Sequence, residues 1–168
     1  MKKTVFYKII HHLPELIAGV ALIWAITITV VNGLTRYILG FTFAGSDELV
    51  VLGFGWTVFP GCAAVFRLKM HMGIDALVKI FPTKTRQILD FCLEILILFI
   101  NAFMIYLGFF LAYNAWGKIL PATGISYFYL DMALVVGFAF MTWYSIGFIR
   151  DDIIKFRTKS PSQEGILA

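Results

Sequence analysis

Four long runs of the chain contain no Asp, Glu, Lys or Arg, and they set its predicted architecture. They comprise 20, 18, 23 and 18 residues and lie between Glu15 and Arg36, Glu48 and Arg67, Glu94 and Lys118, and Asp131 and Arg150. A helix needs about 20 mostly apolar residues to cross the hydrocarbon layer, which is ~30 Å thick. The pattern therefore predicts an all-α integral membrane protein with four transmembrane helices, at about 14–38, 47–66, 90–118 and 127–149.

A fifth, shorter helix is predicted at about 71–81, between the second and third spans. Its apolar residues Ile74, Leu77, Val78 and Phe81 recur at helical spacing, and its charged residues fall elsewhere. This pattern is typical of an amphipathic helix that lies in the membrane interface. Four spans and this helix use nearly the whole chain, which predicts a single membrane domain over residues 1–168.

The basic residues alternate between the two sides of the predicted spans. Three precede the first span, one lies in the next segment, and five, one and four follow in turn. The positive-inside rule then predicts that both termini are cytoplasmic. The same rule accounts for the net charge of +4, so the charge does not indicate nucleic-acid binding.

The predicted spans carry no ionisable side chain near the membrane centre other than Tyr and Cys. Proton relays and gating charges need such groups, and a haem subunit needs histidines within its spans. His71 and Asp75 are four residues apart, but two ligands do not make a metal site. The chain is therefore predicted to be neither an enzyme nor a cofactor-binding protein, and not to transport a substrate unaided.

Two groups of polar or small residues are candidates for packing and partner contact. Gly53, Thr57 and Gly61 share one face of the second span, where another helix could approach closely, and Asn101 could bond to a neighbouring helix. Ser46 is a predicted N-cap for the second span, whose positively polarised first turn holds Asp47 and Glu48. The acidic pair could serve the helix terminus, a partner protein, or both.

An ordered set of residues resembles the small membrane subunit of the tripartite ATP-independent periplasmic (TRAP) transporters. The set is Asn32, Arg36, Tyr37, Gly40, Asp47, Glu48, Trp56, Phe59, Gly61, Arg67, His71 and Asp75. The segment LPATGISYFYLDMALVVGFAFM resembles a second signature of that family. The chain departs from the family pattern at Ser126 and Val136, where proline is frequent, and at Asp131, where an apolar residue is usual.

The resemblance implies a scaffold in a sodium-coupled transporter of organic acids, of the dicarboxylate or sialic-acid class. A periplasmic binding protein would deliver the substrate, and the large membrane subunit would hold the substrate and sodium sites. Arg36, Asp47 and Glu48 would then be candidate periplasmic contacts with these partners. The candidate cytoplasmic contacts with lipid or the large subunit are Arg67, Lys69, His71, Asp75 and Arg86.

Two other functions fit the same topology. The chain could anchor another complex, such as a respiratory one, in which case bound haem or quinone would distinguish it. It could also be a stand-alone small transporter, which would carry a substrate by itself in liposomes.

Overall fold

The computed structural model describes residues 2–68 and 83–159, and this part of the chain consists of four long helices. They are α1 (Lys2–Leu39), α2 (Ser46–Arg67), α3 (Thr83–Ala115) and α4 (Phe128–Lys159). Each contains a segment long and apolar enough to span a membrane, which confirms the predicted fold class. The predicted interfacial helix at 71–81 lies outside the described residues.

The helices differ from the predicted spans mainly at their ends. α1 begins at Lys2 and continues through Pro14, whose side chain is fully buried. α3 ends at Ala115, three residues before the predicted boundary, because the chain turns there: the Lys118 amide donates to the Ala115 carbonyl at 3.0 Å. α4 extends to Lys159, well beyond its apolar segment.

The four helices form an open row in the order α1–α2–α4–α3, since α1 packs on α2, α2 on α4, and α4 on α3. The row leaves its outer helices largely uncovered. Only 6% of the most apolar stretch of α1 is buried within the chain, against 28% for α2, which has a neighbour on each side. Among the described residues, no extensive contact joins α1 to α3, so the row does not close around a channel.

The joint between α2 and α4 is closest where Gly137 of α4 meets the backbone of α2. A Cβ atom added to Gly137 would lie 2.7 Å from both the Cβ and the carbonyl oxygen of Phe59. Pro60, the next residue of α2, is fully buried. One turn earlier in α2, Gly55 receives the side chain of Leu130, which would lie 2.7 Å from an added Cβ. Glycine lets the two helices approach closely, as membrane packing favours.

The joint between α4 and α3 combines a glycine contact with a polar one. Leu134 and Val135 of α4 pack onto Gly108 of α3. Nearer the chain termini, the amide of Asn101 donates to the hydroxyl of Ser145 at 3.4 Å, and both residues are buried. Asn101 thus bonds to a neighbouring helix of its own chain.

Candidate functional site

The face that holds Gly53, Thr57 and Gly61 packs within the chain, against α1. A Cβ on Gly53 would lie 3.1 Å from Trp24 and 3.2 Å from Ala25, and one on Gly61 would lie 3.6 Å from Ala18. The Thr57 hydroxyl donates to the Gly53 carbonyl of its own helix at 2.8 Å. The helix that approaches this face is therefore α1 of the same chain.

Substitutions at these two glycines should differ in severity. Gly53→Leu should weaken the α1–α2 joint, because the contacts with Trp24 and Ala25 are already tight for a Cβ and leave no room for the rest of a leucine side chain. Gly61→Ala should be neutral or stabilising by up to about 1 kcal/mol, since alanine favours the helix and the Ala18 contact is an ordinary one. Thermal denaturation of the purified chain in detergent measures both, and equal effects would contradict this packing.

The candidate functional surface lies at the end of the helix row where the α1–α2 loop (residues 40–45) meets the α3–α4 loop (residues 116–127). We call this surface the loop end. Here the carboxylate of Glu48 holds the α3–α4 loop. One of its oxygens accepts a hydrogen bond from the Ala122 amide at 3.0 Å, and the other accepts from the Thr123 amide at 2.8 Å and the Thr123 hydroxyl at 2.7 Å. Charge-assisted bonds of this kind are stronger than neutral ones. Glu48 therefore joins the first turn of α2 to the α3–α4 loop, and we call this contact the Glu48 clasp.

The conformation of the α1–α2 loop lets Thr123 of the α3–α4 loop approach closely. Gly45 has a φ of +85°, and an added Cβ would lie only 2.6 Å from the Thr123 methyl group. Glycine is therefore favoured here both by the backbone conformation and by the lack of space for a side chain. Gly45 is also the N-cap residue of α2; the predicted cap, Ser46, is the first helical residue, and its hydroxyl donates to the Phe43 carbonyl. Asn32 of α1 closes the loop by accepting from the Phe43 amide at 3.2 Å.

Ser126 explains one departure from the family pattern. Its hydroxyl donates to the Trp116 carbonyl at the end of α3 and accepts from the Phe128 amide at the start of α4. Within this loop the Leu120 amide donates to the Ile125 carbonyl at 2.8 Å, and Gly124 has a φ of +71°. A proline at 126 could not make the side-chain bonds, so this loop depends on its serine.

A further bond joins α2 to α4 near the loop end. The indole of Trp56 donates to the Tyr129 carbonyl at 3.0 Å. Three of the residues that carry the family resemblance thus make hydrogen bonds to residues at least 11 positions away. They are Asn32, Glu48 and Trp56. These positions hold the loop end together, a role that sequence reasoning did not assign to them.

Arg36 and Asp47 remain available on the surface of the loop end. Both are exposed, and the Arg36 guanidinium lies over the ring of Tyr37 at 5.9 Å. Among the described residues, no ion pair joins Arg36 to Asp47 or Glu48. Of the three predicted periplasmic contacts, Glu48 is engaged within the chain, whereas Arg36 and Asp47 can meet a partner.

The opposite end of the row carries a second polar cluster. Arg67 at the end of α2 forms an ion pair with Glu15 of α1, and the other oxygen of Glu15 contacts the ring nitrogen of His12 at 2.6 Å. The Arg67 side chain is only 11% exposed, so it joins two helices of this chain. Arg86 lies in the first turn of α3. Lys69, His71 and Asp75 lie outside the described residues.

The fold defines a multi-pass membrane protein, because each of its four helices contains a segment long and apolar enough to span a membrane. Residues 25–154 match the family described as tripartite ATP-independent periplasmic transporters, DctQ component. The chain belongs to this family, which makes it the small permease subunit of a TRAP transporter, an inner-membrane protein and not an enzyme. It is similar to a Haemophilus influenzae protein named as a TRAP transporter small permease protein, with 28% identity over 134 residues, or 78% of this chain and 81% of that protein.

Proposed function

We propose that this chain is the fixed scaffold of a sodium-coupled transporter for organic acids, of the dicarboxylate or sialic-acid class. It anchors the large membrane subunit, which holds the substrate and sodium sites, and it helps to dock the periplasmic binding protein. The observation that carries the proposal is the open row of helices. In the part of the chain that the structure describes, the row encloses no channel and carries no charge near the centre of its spans, so it offers an ion or carboxylate no route across the membrane.

The alternation of basic residues supports an orientation with both termini cytoplasmic. The loop end then faces the periplasm, where Arg36 and Asp47 meet the binding protein or the large subunit. The Glu15–Arg67 pair lies at the cytoplasmic interface.

Lipids are the other partners in this proposal. Two apolar grooves flank α2, of about 430 Å³ beside α1 and about 580 Å³ beside α4. The first is lined by Trp24 and Trp56, among others, and the second by Cys62, Phe66 and Met141. Grooves of this shape and polarity suit acyl chains that fill the joint between subunits.

Reconstitution tests the scaffold function. The small and large subunits are placed in liposomes together and singly, and sodium-driven uptake of sialic acid and of a dicarboxylate is measured with the binding protein present. We expect uptake by the pair and none by this chain alone. Uptake by this chain alone, or full uptake by the large subunit alone, would overturn the proposal.

Asp47→Lys should weaken docking of the binding protein. A charge at the rim of an interface acts mainly on the association rate, so the binding-protein concentration for half-maximal uptake should rise roughly three- to tenfold. Asp47→Glu keeps the charge and serves as the control. The difference between Asp47→Lys and Asp47→Glu in this half-maximal concentration should shrink at high salt, which screens exposed charges. Unchanged uptake by Asp47→Lys at limiting binding protein would remove Asp47 from the docking surface.

A further inference from the structure

The outer side of α3 carries a continuous stripe of exposed aromatic residues. Phe99, Phe103, Tyr106, Phe110 and Tyr113 follow one another in alternating steps of four and three residues. Each of them is between 50% and 74% exposed. We call these five residues the α3 outer stripe.

The stripe lies on the side of α3 opposite to α4. The α4-facing side holds Gly108 and the buried residues Asn101 and Ala112. Tyr106 and Phe110 are each two residues from Gly108, and at 3.6 residues per turn a two-residue step points to nearly the opposite side. The stripe therefore forms the free edge of the helix row.

Tyr106 places a hydroxyl near the middle of the membrane. It is three residues, or about 4.5 Å along the axis, from the centre of the α3 span, which runs from Phe91 to Ala115. The rigid ring holds the hydroxyl away from the carbonyl groups of α3. Within the part of the chain that the structure describes, no hydrogen bond joins this hydroxyl to another group.

Several threonine hydroxyls and one amide within the spans bond inside the chain. Thr27 and Thr29 of α1 donate to carbonyls one turn earlier, at 2.7 and 2.8 Å, and Thr142 of α4 does the same at 2.9 Å. Asn101 bonds to Ser145. The outer edge of α1 therefore combines aliphatic side chains with satisfied threonines and suits lipid, whereas the α3 edge exposes a phenol.

Lipid tails offer no hydrogen-bond acceptor, so an exposed phenol near the membrane centre favours contact with protein. Steps of four and three residues also match the 3.5-residue period with which two helices pack along their length. We propose that the α3 outer stripe binds a transmembrane helix of the large subunit, which supplies an acceptor for Tyr106. Bulky aromatic residues on one helix call for small residues on the other, so that helix should present Gly, Ala or Ser.

This inference rests on the proposed scaffold function, and crosslinking in the intact complex tests both. A photoreactive phenylalanine analogue is placed at Phe103 on the α3 edge, or at Ile23 on the α1 edge as the control. We expect a crosslinked product with the large subunit from position 103 and none from position 23.

The outcomes separate the two proposals. If the large subunit copurifies with the unmodified chain but position 103 crosslinks only to lipid or to a second copy of this chain, the stripe is not the interface. A product from position 23 alone would likewise overturn the inference and leave the scaffold function standing. If no large subunit copurifies with the unmodified chain, the scaffold function fails, and the inference fails with it.

Tyr106→Phe tests the hydroxyl alone. Because hydrogen bonds between membrane helices contribute about 0.6 kcal/mol on average, the complex should dissociate about threefold more readily on dilution in detergent. Thr27→Val is the matched control, since it removes a hydroxyl that bonds to its own helix. Equal retention of the large subunit by both variants would show that Tyr106 has no acceptor in the partner.

Discussion

Replacing Gly137 with leucine should separate the two halves of the helix row. Even the first atom of the new side chain would lie 2.7 Å from the Phe59 carbonyl oxygen and 2.8 Å from its carbonyl carbon. These are backbone atoms within a helix, so they cannot rotate away as a side chain could. Alanine alone should cost about 1–3 kcal/mol by overpacking, and leucine more.

The effect should be large because the α2–α4 joint connects the α1–α2 pair to the α3–α4 pair. Loss of this joint leaves the halves linked mainly at the loop end. We expect Gly137→Leu to lower the yield of monodisperse protein and Gly137→Ala to lower its midpoint of thermal denaturation in detergent. The measurement is size-exclusion chromatography after heating.

Gly147→Ala is the matched control for Gly137→Ala. Gly147 lies on the same helix, and an added Cβ would have no neighbour within 4 Å. Alanine there should be neutral or slightly stabilising, by up to about 1 kcal/mol, because it favours the helix. If Gly137→Ala were as stable as Gly147→Ala, the close approach of α4 to Phe59 would be wrong.

Sequence reasoning recovered the helices but not their order in space. The charge-free runs predict four spans because membrane insertion depends on local composition, which the sequence displays directly. Packing depends on which faces meet. Gly53 and Gly61 stand out by their spacing. The contact of Gly137 with Phe59 instead joins single positions on two helices that are far apart in the sequence, so it leaves no comparable pattern.

The polar contacts at the two ends show the same contrast. Glu15 and Arg67 flank charge-free runs on antiparallel neighbouring helices, so their pairing could have been predicted from topology. Glu48 could not be placed in this way, because it bonds to Ala122 and Thr123, 74 and 75 residues away. Two of its three donors are backbone amides, which every residue but proline possesses, so no residue type marks the site.

Glu48→Gln should release the α3–α4 loop from the first turn of α2. The glutamine amide is nearly the same size as the carboxylate, but it has lost the negative charge and one acceptor. Its NH₂ group would face the amide of Ala122 or Thr123, donor against donor. We expect faster hydrogen exchange at these two amides, by roughly tenfold, because local opening no longer breaks charge-assisted bonds.

Asp47→Asn is the control that distinguishes a clasp from a docking charge. It removes a neighbouring negative charge from an exposed side chain and should leave exchange at Ala122 and Thr123 unchanged. Uptake should respond differently in the two variants. Because Glu48 acts by fixing the shape of the surface, excess binding protein should not fully restore uptake by Glu48→Gln, whereas it should restore uptake by Asp47→Asn. If Glu48→Gln left hydrogen exchange unchanged while excess binding protein restored its uptake, Glu48 would be a direct contact and the clasp would not hold the loop.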